Sequence, residues 1–137
     1  VSAELVPGNH DRKARSCEPL GVTVRGDSLK LGALVCTHVP PGDDATDATL
    51  CGHLHPVVSV GAGYGTARLR SACFWFERFT GVLPAFGTFT GGHAMPTGPG
   101  RAVFAAGART VVPVTELATR WADRKGGLGA ARAYDRA

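Results

Sequence analysis

Gly52-His53-Leu54-His55-Pro56 is the stretch on which the reading of this chain turns, and Gly8-Asn9-His10-Asp11 is its upstream counterpart. His53 and His55 stand two apart, so in an extended segment both imidazoles project from one face. That spacing suits one ligand to each of two adjacent metal ions. Pro56 stiffens the exit by fixing its own φ. Buried histidines must each find a hydrogen-bond partner, so such a pair without a task is unusual. In the tetrapeptide, glycine permits a sharp turn, and the Asn9 amide oxygen is a neutral metal ligand. His10 is a proton carrier near neutral pH, fitted to protonate a leaving oxygen. Asp11 is expected to accept a hydrogen bond from His10 and fix its orientation. By itself the tetrapeptide reads equally well as a surface turn. Between the two motifs lies His38, at the end of Val35-Cys36-Thr37-His38.

A chain of 137 residues, 44% apolar and 19% charged, suits one soluble domain with a hydrophobic core. Lys and Arg number 15 against 11 Asp and Glu, a net +4 that suits a polyanionic substrate but is equally explained by a basic tail. No apolar run is long enough to cross a bilayer, and no charged-then-apolar leader opens the chain, so no membrane partner is expected. Cys17, Cys36, Cys51 and Cys73 are too sparse for a secreted disulfide scaffold, and a cytoplasmic setting is the expectation. The first residue is Val1 and the only methionine is Met95, so the start is expected to lie further upstream.

Glu4-Leu5-Val6-Pro7 reads as the end of a strand running into the loop at Gly8. Val22-Thr23-Val24 and Leu29-Lys30-Leu31 flank the turn residues Gly26-Asp27-Ser28 and predict a hairpin. Ala33 to Cys36 predicts a buried strand, and Pro40 to Asp44 a loop. Strands are expected over 56–60, 67–76, 82–86, 102–105 and 110–114, separated by glycine-containing turns. Leu117 and Trp121, four apart behind Thr115, predict one short helix over 115–125, with a loose Gly/Ala/Arg tail over 126–137.

Cys36-x-His38 and Cys51-x-His53 also match a Cys₂His₂ zinc site, although structural zinc favours cysteines two to four residues apart on one turn. The other reading makes these cysteines small core residues. Cys73-Phe74-Trp75-Phe76 and Leu83-Pro84-Ala85-Phe86-Gly87-Thr88-Phe89-Thr90-Gly91-Gly92 are the remaining distinctive stretches. Their aromatic residues read as core before they read as base-stacking platforms. Thr88, Thr90, Gly91 and Gly92 suit either a loop offering backbone N–H groups to phosphate or a plain tight turn. His93 follows these glycines without a ligand role. The run Gly61 to Gly65 resembles a dinucleotide fingerprint only superficially, because no helix follows.

In this order the motifs resemble those of the calcineurin-like metallophosphoesterases, and most closely the ligase-associated DNA-damage-response endonucleases, over about Pro7 to Val114. Ser71-Ala72 departs from the pattern, where a proline is expected. The resemblance implies an α/β fold, part of a four-layer α/β/β/α sandwich lacking its first strands and helices and mostly β in the part covered. Residues 1–114 would be the carboxyl-terminal part of one such domain. The Asp-x-His and Gly-Asp motifs of that signature belong before Gly8 and are not among the seven residues there.

The activity implied is metal-dependent phosphodiesterase or DNA endonuclease chemistry by a two-metal hydroxide mechanism, associated with DNA repair and with a DNA ligase or exonuclease system. Two divalent ions are implied, Mn²⁺ first, with Mg²⁺, Fe or Zn²⁺ as alternatives. Asn9, His38 and His53 would hold one ion and His55 would contribute to the other. Arg12, Thr90, Gly91 and Gly92 are substrate-binding candidates. Lacking a carboxylate ligand, the isolated chain is expected to be inactive. Two other classes remain open: a non-catalytic remnant of the fold acting as a binding module, and a small zinc-structured domain.

Overall fold

A computed structural model describes residues 2–11, 18–61, 68–87 and 90–114. The expected helix over 115–125 and tail over 126–137 lie outside these residues, as do Arg12, Cys17, residues 62–65, Thr88 and Phe89. Eleven strands make up most of the rest: β1 (Ala3–Leu5), β2 (Val22–Val24), β3 (Ser28–Leu31), β4 (Leu34–Thr37), β5 (Ala48–Cys51), β6 (Pro56–Gly61), β7 (Arg68–Glu77), β8 (Thr80–Val82), β9 (His93–Ala94), β10 (Arg101–Ala106) and β11 (Val111–Pro113). The described part is thus mostly β, with almost no helix.

The expected hairpin between Val22–Val24 and Leu29–Leu31 does not form. Instead β2 pairs in parallel with β1, and β3 pairs antiparallel with β4. Two interactions explain the change. Arg25, just past β2, makes a two-pronged ion pair with Glu4, at 2.6 Å to Oε1 and 3.2 Å to Oε2, and its amide donates to the Leu5 carbonyl at 2.8 Å. The bonded guanidinium holds the Glu4 carboxyl below its usual range. Meanwhile Gly32 adopts φ 62° at the first position of a two-residue turn, a geometry that matches the twist of flanking strands. Gly26-Asp27-Ser28 therefore links two sheets rather than closing one.

β1 and β2 form a two-stranded sheet, and the other nine strands form a larger one. Its main path runs β11-β10-β7-β8-β5-β4-β3, with β6 on β7 and β9 on β6. β4, β5 and β8 are mutually parallel. Their ends are in line, because Thr37 pairs with Cys51 and Cys51 pairs with Val82. The next residue after each strand, His38, Gly52 or Leu83, is therefore delivered to one edge of the sheet. The carboxyl edge of parallel strands is where such sheets place ligands. Only loop joins β4 to β5, across residues 38–47, whereas parallel neighbours ordinarily need a crossover of about a dozen residues or more.

β7 changes partners along its length. Arg68 to Ala72 pair with β6, and Cys73 to Glu77 pair with β10. Ser71 sits beside the changeover, and its hydroxyl donates to the Ala106 carbonyl at the end of β10, at 3.1 Å. From there the strand alternates. Cys73 and Trp75 face a core with Cys51, Val58, Val82, Val103 and Ala105. Phe74, Phe76 and Phe104 occupy the other face, half-buried, with Phe76 edge-on to Phe104 at 6.1 Å. Trp75 is thus core, and its indole N–H donates to the Pro96 carbonyl at 2.8 Å.

Cys51 and Cys73 are among the most buried side chains, and burial pushes both thiols up to about 11. At pH 8 only about a thousandth of each is then thiolate, the reactive form. In the folded chain both should resist iodoacetamide at that pH and alkylate readily in denaturant, as read by peptide mass spectrometry. Labelling of either in the folded protein as fast as a free thiol would contradict this core.

Candidate functional site

Three side chains from distant parts of the sequence meet beyond the aligned strand ends. His38 Nε2 lies 2.9 Å from Asn9 Oδ1 and 3.0 Å from His53 Nδ1. The two imidazoles stand edge-to-face, with centroids 4.9 Å apart. His38 and His53 arrive from β4 and β5, whose exits are tied together where the Gly52 amide donates to the His38 carbonyl at 3.1 Å. Asn9 comes from the loop after β1, in the other sheet. The meeting point is thus a joint between the sheets.

Gly8 allows the approach. A Cβ there would lie 2.4 to 2.7 Å from the His38 ring, closer than side-chain contacts allow. The turn is closed twice: the Asp11 amide donates to the Gly8 carbonyl at 3.0 Å, and the Gly8 amide donates to Asp11 Oδ2 at 2.7 Å. The structure therefore gives Asp11 a partner other than the expected His10. A short carboxylate reaches a backbone amide of its own turn more easily than a neighbouring ring. His10 is exposed on this turn.

The expectation that Gly52 to Pro56 is extended also needs correction. His53 and His55 have φ 60° and 49°, in the left-handed region, and the Leu54 amide turns back to the Gly52 carbonyl at 2.7 Å. The same-face argument for an alternating strand does not apply to a bend. His53 swings toward His38. Among the described residues the imidazole of His55, half-buried, makes no hydrogen bond to that group.

Leu83 and His93, on either side of the Pro84–Gly92 stretch, are both bonded beside this bend. The Leu83 amide donates to the Cys51 carbonyl at 2.8 Å, and the His93 amide donates to the carbonyls of His55 at 3.1 Å and Leu54 at 3.3 Å. The hydroxyl of Thr90, an expected substrate-binding residue, donates to the Gly87 carbonyl at 3.1 Å. A Cβ on Gly91 would meet open space, but one on Gly92 would lie 2.4 Å from Val57. Gly92 thus owes its identity at least partly to packing. Its carbonyl accepts a hydrogen bond from Arg70 Nη2. Arg70 carries no motif, and only the fold shows that its guanidinium reaches the glycine pair. Arg12, the other substrate-binding candidate, lies outside the described residues.

Among the described residues no group of three or more His, Cys, Asp and Glu side chains is gathered for a metal. Cys51 turns its sulfur to the Gly81 carbonyl at 3.4 Å, within the core, and away from the zinc role considered for it. The described residues contain no helix long and apolar enough to cross a membrane.

The chain is similar to the crystal structure of Pseudomonas putida nuclease MPE, at 33% identity and a TM-score of 0.67, over 82% of this chain and 54% of that one. The structural neighbour is a nuclease. This chain spans about half of that neighbour's length. No family model and no curated protein matches the chain.

Replacing Gly8 by Ala should drive the His38 ring away from Asn9 without disturbing the larger sheet. ¹⁵N spectra of the imidazole should report a changed His38 environment while far-ultraviolet circular dichroism stays the same. An unaltered His38 signal in Gly8→Ala would show that the ring does not rest on Gly8.

Proposed function

We propose that this chain contributes part of the metal site of a phosphodiesterase acting on nucleic acid. The observation that carries the proposal is the meeting of Asn9 Oδ1, His38 Nε2 and His53 Nδ1. A ring nitrogen bears either a proton or a lone pair, so His38 Nε2 forms one good hydrogen bond with either neighbour, not with both. The remaining contact then sets electron pair against electron pair, or shares one proton between two acceptors. A cation between the three atoms removes the conflict. The donor set, two imidazole nitrogens and an amide oxygen, fits a divalent transition ion better than Mg²⁺ or Ca²⁺. Similarity to a nuclease supports a phosphodiester of nucleic acid as the substrate.

In this reading Asn9, His38 and His53 hold one ion and His55 contributes to a second, with Mn²⁺ the first candidate and Fe or Zn²⁺ close behind. The chemistry such ions supply is polarisation of the phosphate and activation of water for in-line displacement. His10, exposed on the turn beside Asn9, gives its proton to the departing oxygen. Asp11 holds that turn closed. Gly91 and Thr90 line the approach, and Arg70, fixed against Gly92, offers its remaining N–H groups to phosphate oxygens. Likeness to the ligase-associated endonucleases extends the proposal to DNA as the nucleic acid and to a repair role.

All three meeting donors are neutral, so binding should be weak compared with a carboxylate-bearing site. Titration followed by the electron paramagnetic resonance of free Mn²⁺ should show saturable binding. Asn9→Ala, His38→Ala and His53→Ala should each weaken it at least about tenfold, in line with the loss of a ligand or its orienting partner. Bis(p-nitrophenyl) phosphate should tighten Mn²⁺ binding by the unaltered chain and not by these variants. Equal binding by all three variants, or none by the unaltered chain, would sink the proposal.

A further inference from the structure

Phe86 is 108% exposed, the most exposed of the large apolar side chains among the described residues. Single apolar residues on a surface are ordinary, so exposure by itself decides little. Position decides more. Phe86 rides on the loop whose two feet are bonded to Cys51 and His55, on either side of the bend that carries His53. Pro84 and Ala85 ahead of it are half-buried, and Pro84 fixes its own φ. Behind it the Thr90 hydroxyl closes onto the Gly87 carbonyl. The ring is therefore held out from an anchored loop. Near the loop's far end, Arg70 is fixed by its bond to Gly92.

An exposed ring on the segment that Leu83 ties to the end of β5, and a guanidinium from β7 bonded to Gly92, make the pairing that single-stranded nucleic acid binders use: a face for a base and a cation for the backbone. We infer that Phe86 stacks on an unpaired nucleobase next to the phosphodiester held at the Asn9–His38–His53 site. This rests on the phosphodiesterase reading for its substrate. Any base offers a π face, so Phe86 confers grip on nucleic acid with little preference among sequences. It would do nothing for a small phosphodiester without a base.

The test uses the full chain with fluorescein-labelled oligonucleotides, one with all its bases and one of the same length with abasic sites, followed by anisotropy with and without Mn²⁺. The unaltered chain should bind the base-bearing strand about tenfold or more tightly than the abasic one. Phe86→Ala should bring the two affinities together by weakening only the former, and Phe86→Tyr should restore the gap. The preference for bases is a ratio that does not depend on metal occupancy. It can therefore fail while Mn²⁺ titration succeeds, or survive while titration fails. No base preference in the unaltered chain, or a Phe86→Ala change of equal size on both strands, would overturn the inference. So would a Phe86→Ala variant that loses only self-association, which would make a second copy of the chain the ring's partner.

Discussion

The imidazole of His38 stands where the loop after β1 meets the edge of the larger sheet, with an amide oxygen from that loop and a second imidazole from the bend after β5, both about 3 Å from the same nitrogen. Much of the architecture serves that placement. The small sheet, clasped by Glu4 and Arg25, launches the Gly8 turn. The larger sheet brings three parallel strands to a common finishing line, so that His38 and Gly52 leave it side by side. Gly8 has no side chain to keep the ring at a distance. Loosening either sheet separates donors that no local segment could gather.

Short apolar runs bounded by glycine-containing turns were readable from the sequence as strands. β6, β7, β10 and β11 fall where that pattern puts them, and Trp75 is core as its neighbours suggest. Pairing was less readable. Two turn-rich segments, Gly26 to Ser28 and Gly32-Ala33, compete to close a hairpin, and the winner depends on an ion pair from Glu4 that no local pattern reveals. β9 has only two residues, too few for any period, and is held by backbone bonds to the His53–His55 bend and to β6.

The site divides the same way. Residue types and their order pointed to Asn9, His38 and His53, and the fold brings those three together. The period-two argument for His53 and His55 assumed an extended backbone, and the left-handed bend removes that assumption. Asp11 was assigned to His10 because they are adjacent, whereas hydrogen-bond geometry favours the amide three residues back. Phe86 and Arg70 became notable only in three dimensions. One is conspicuous for lacking cover, the other for its reach across to Gly92.

The bend that carries His53 and His55 also bears on how such a chain can change over generations. A non-glycine residue in the left-handed region costs about 1 kcal/mol. β-Branched residues are disfavoured further there, so drift at both positions is channelled toward Gly, Asn and Asp. Glycine at either would relieve the backbone while removing an imidazole. Selection for robustness alone would therefore erode this pair, and its persistence in a lineage would mark a continuing demand for what the rings do.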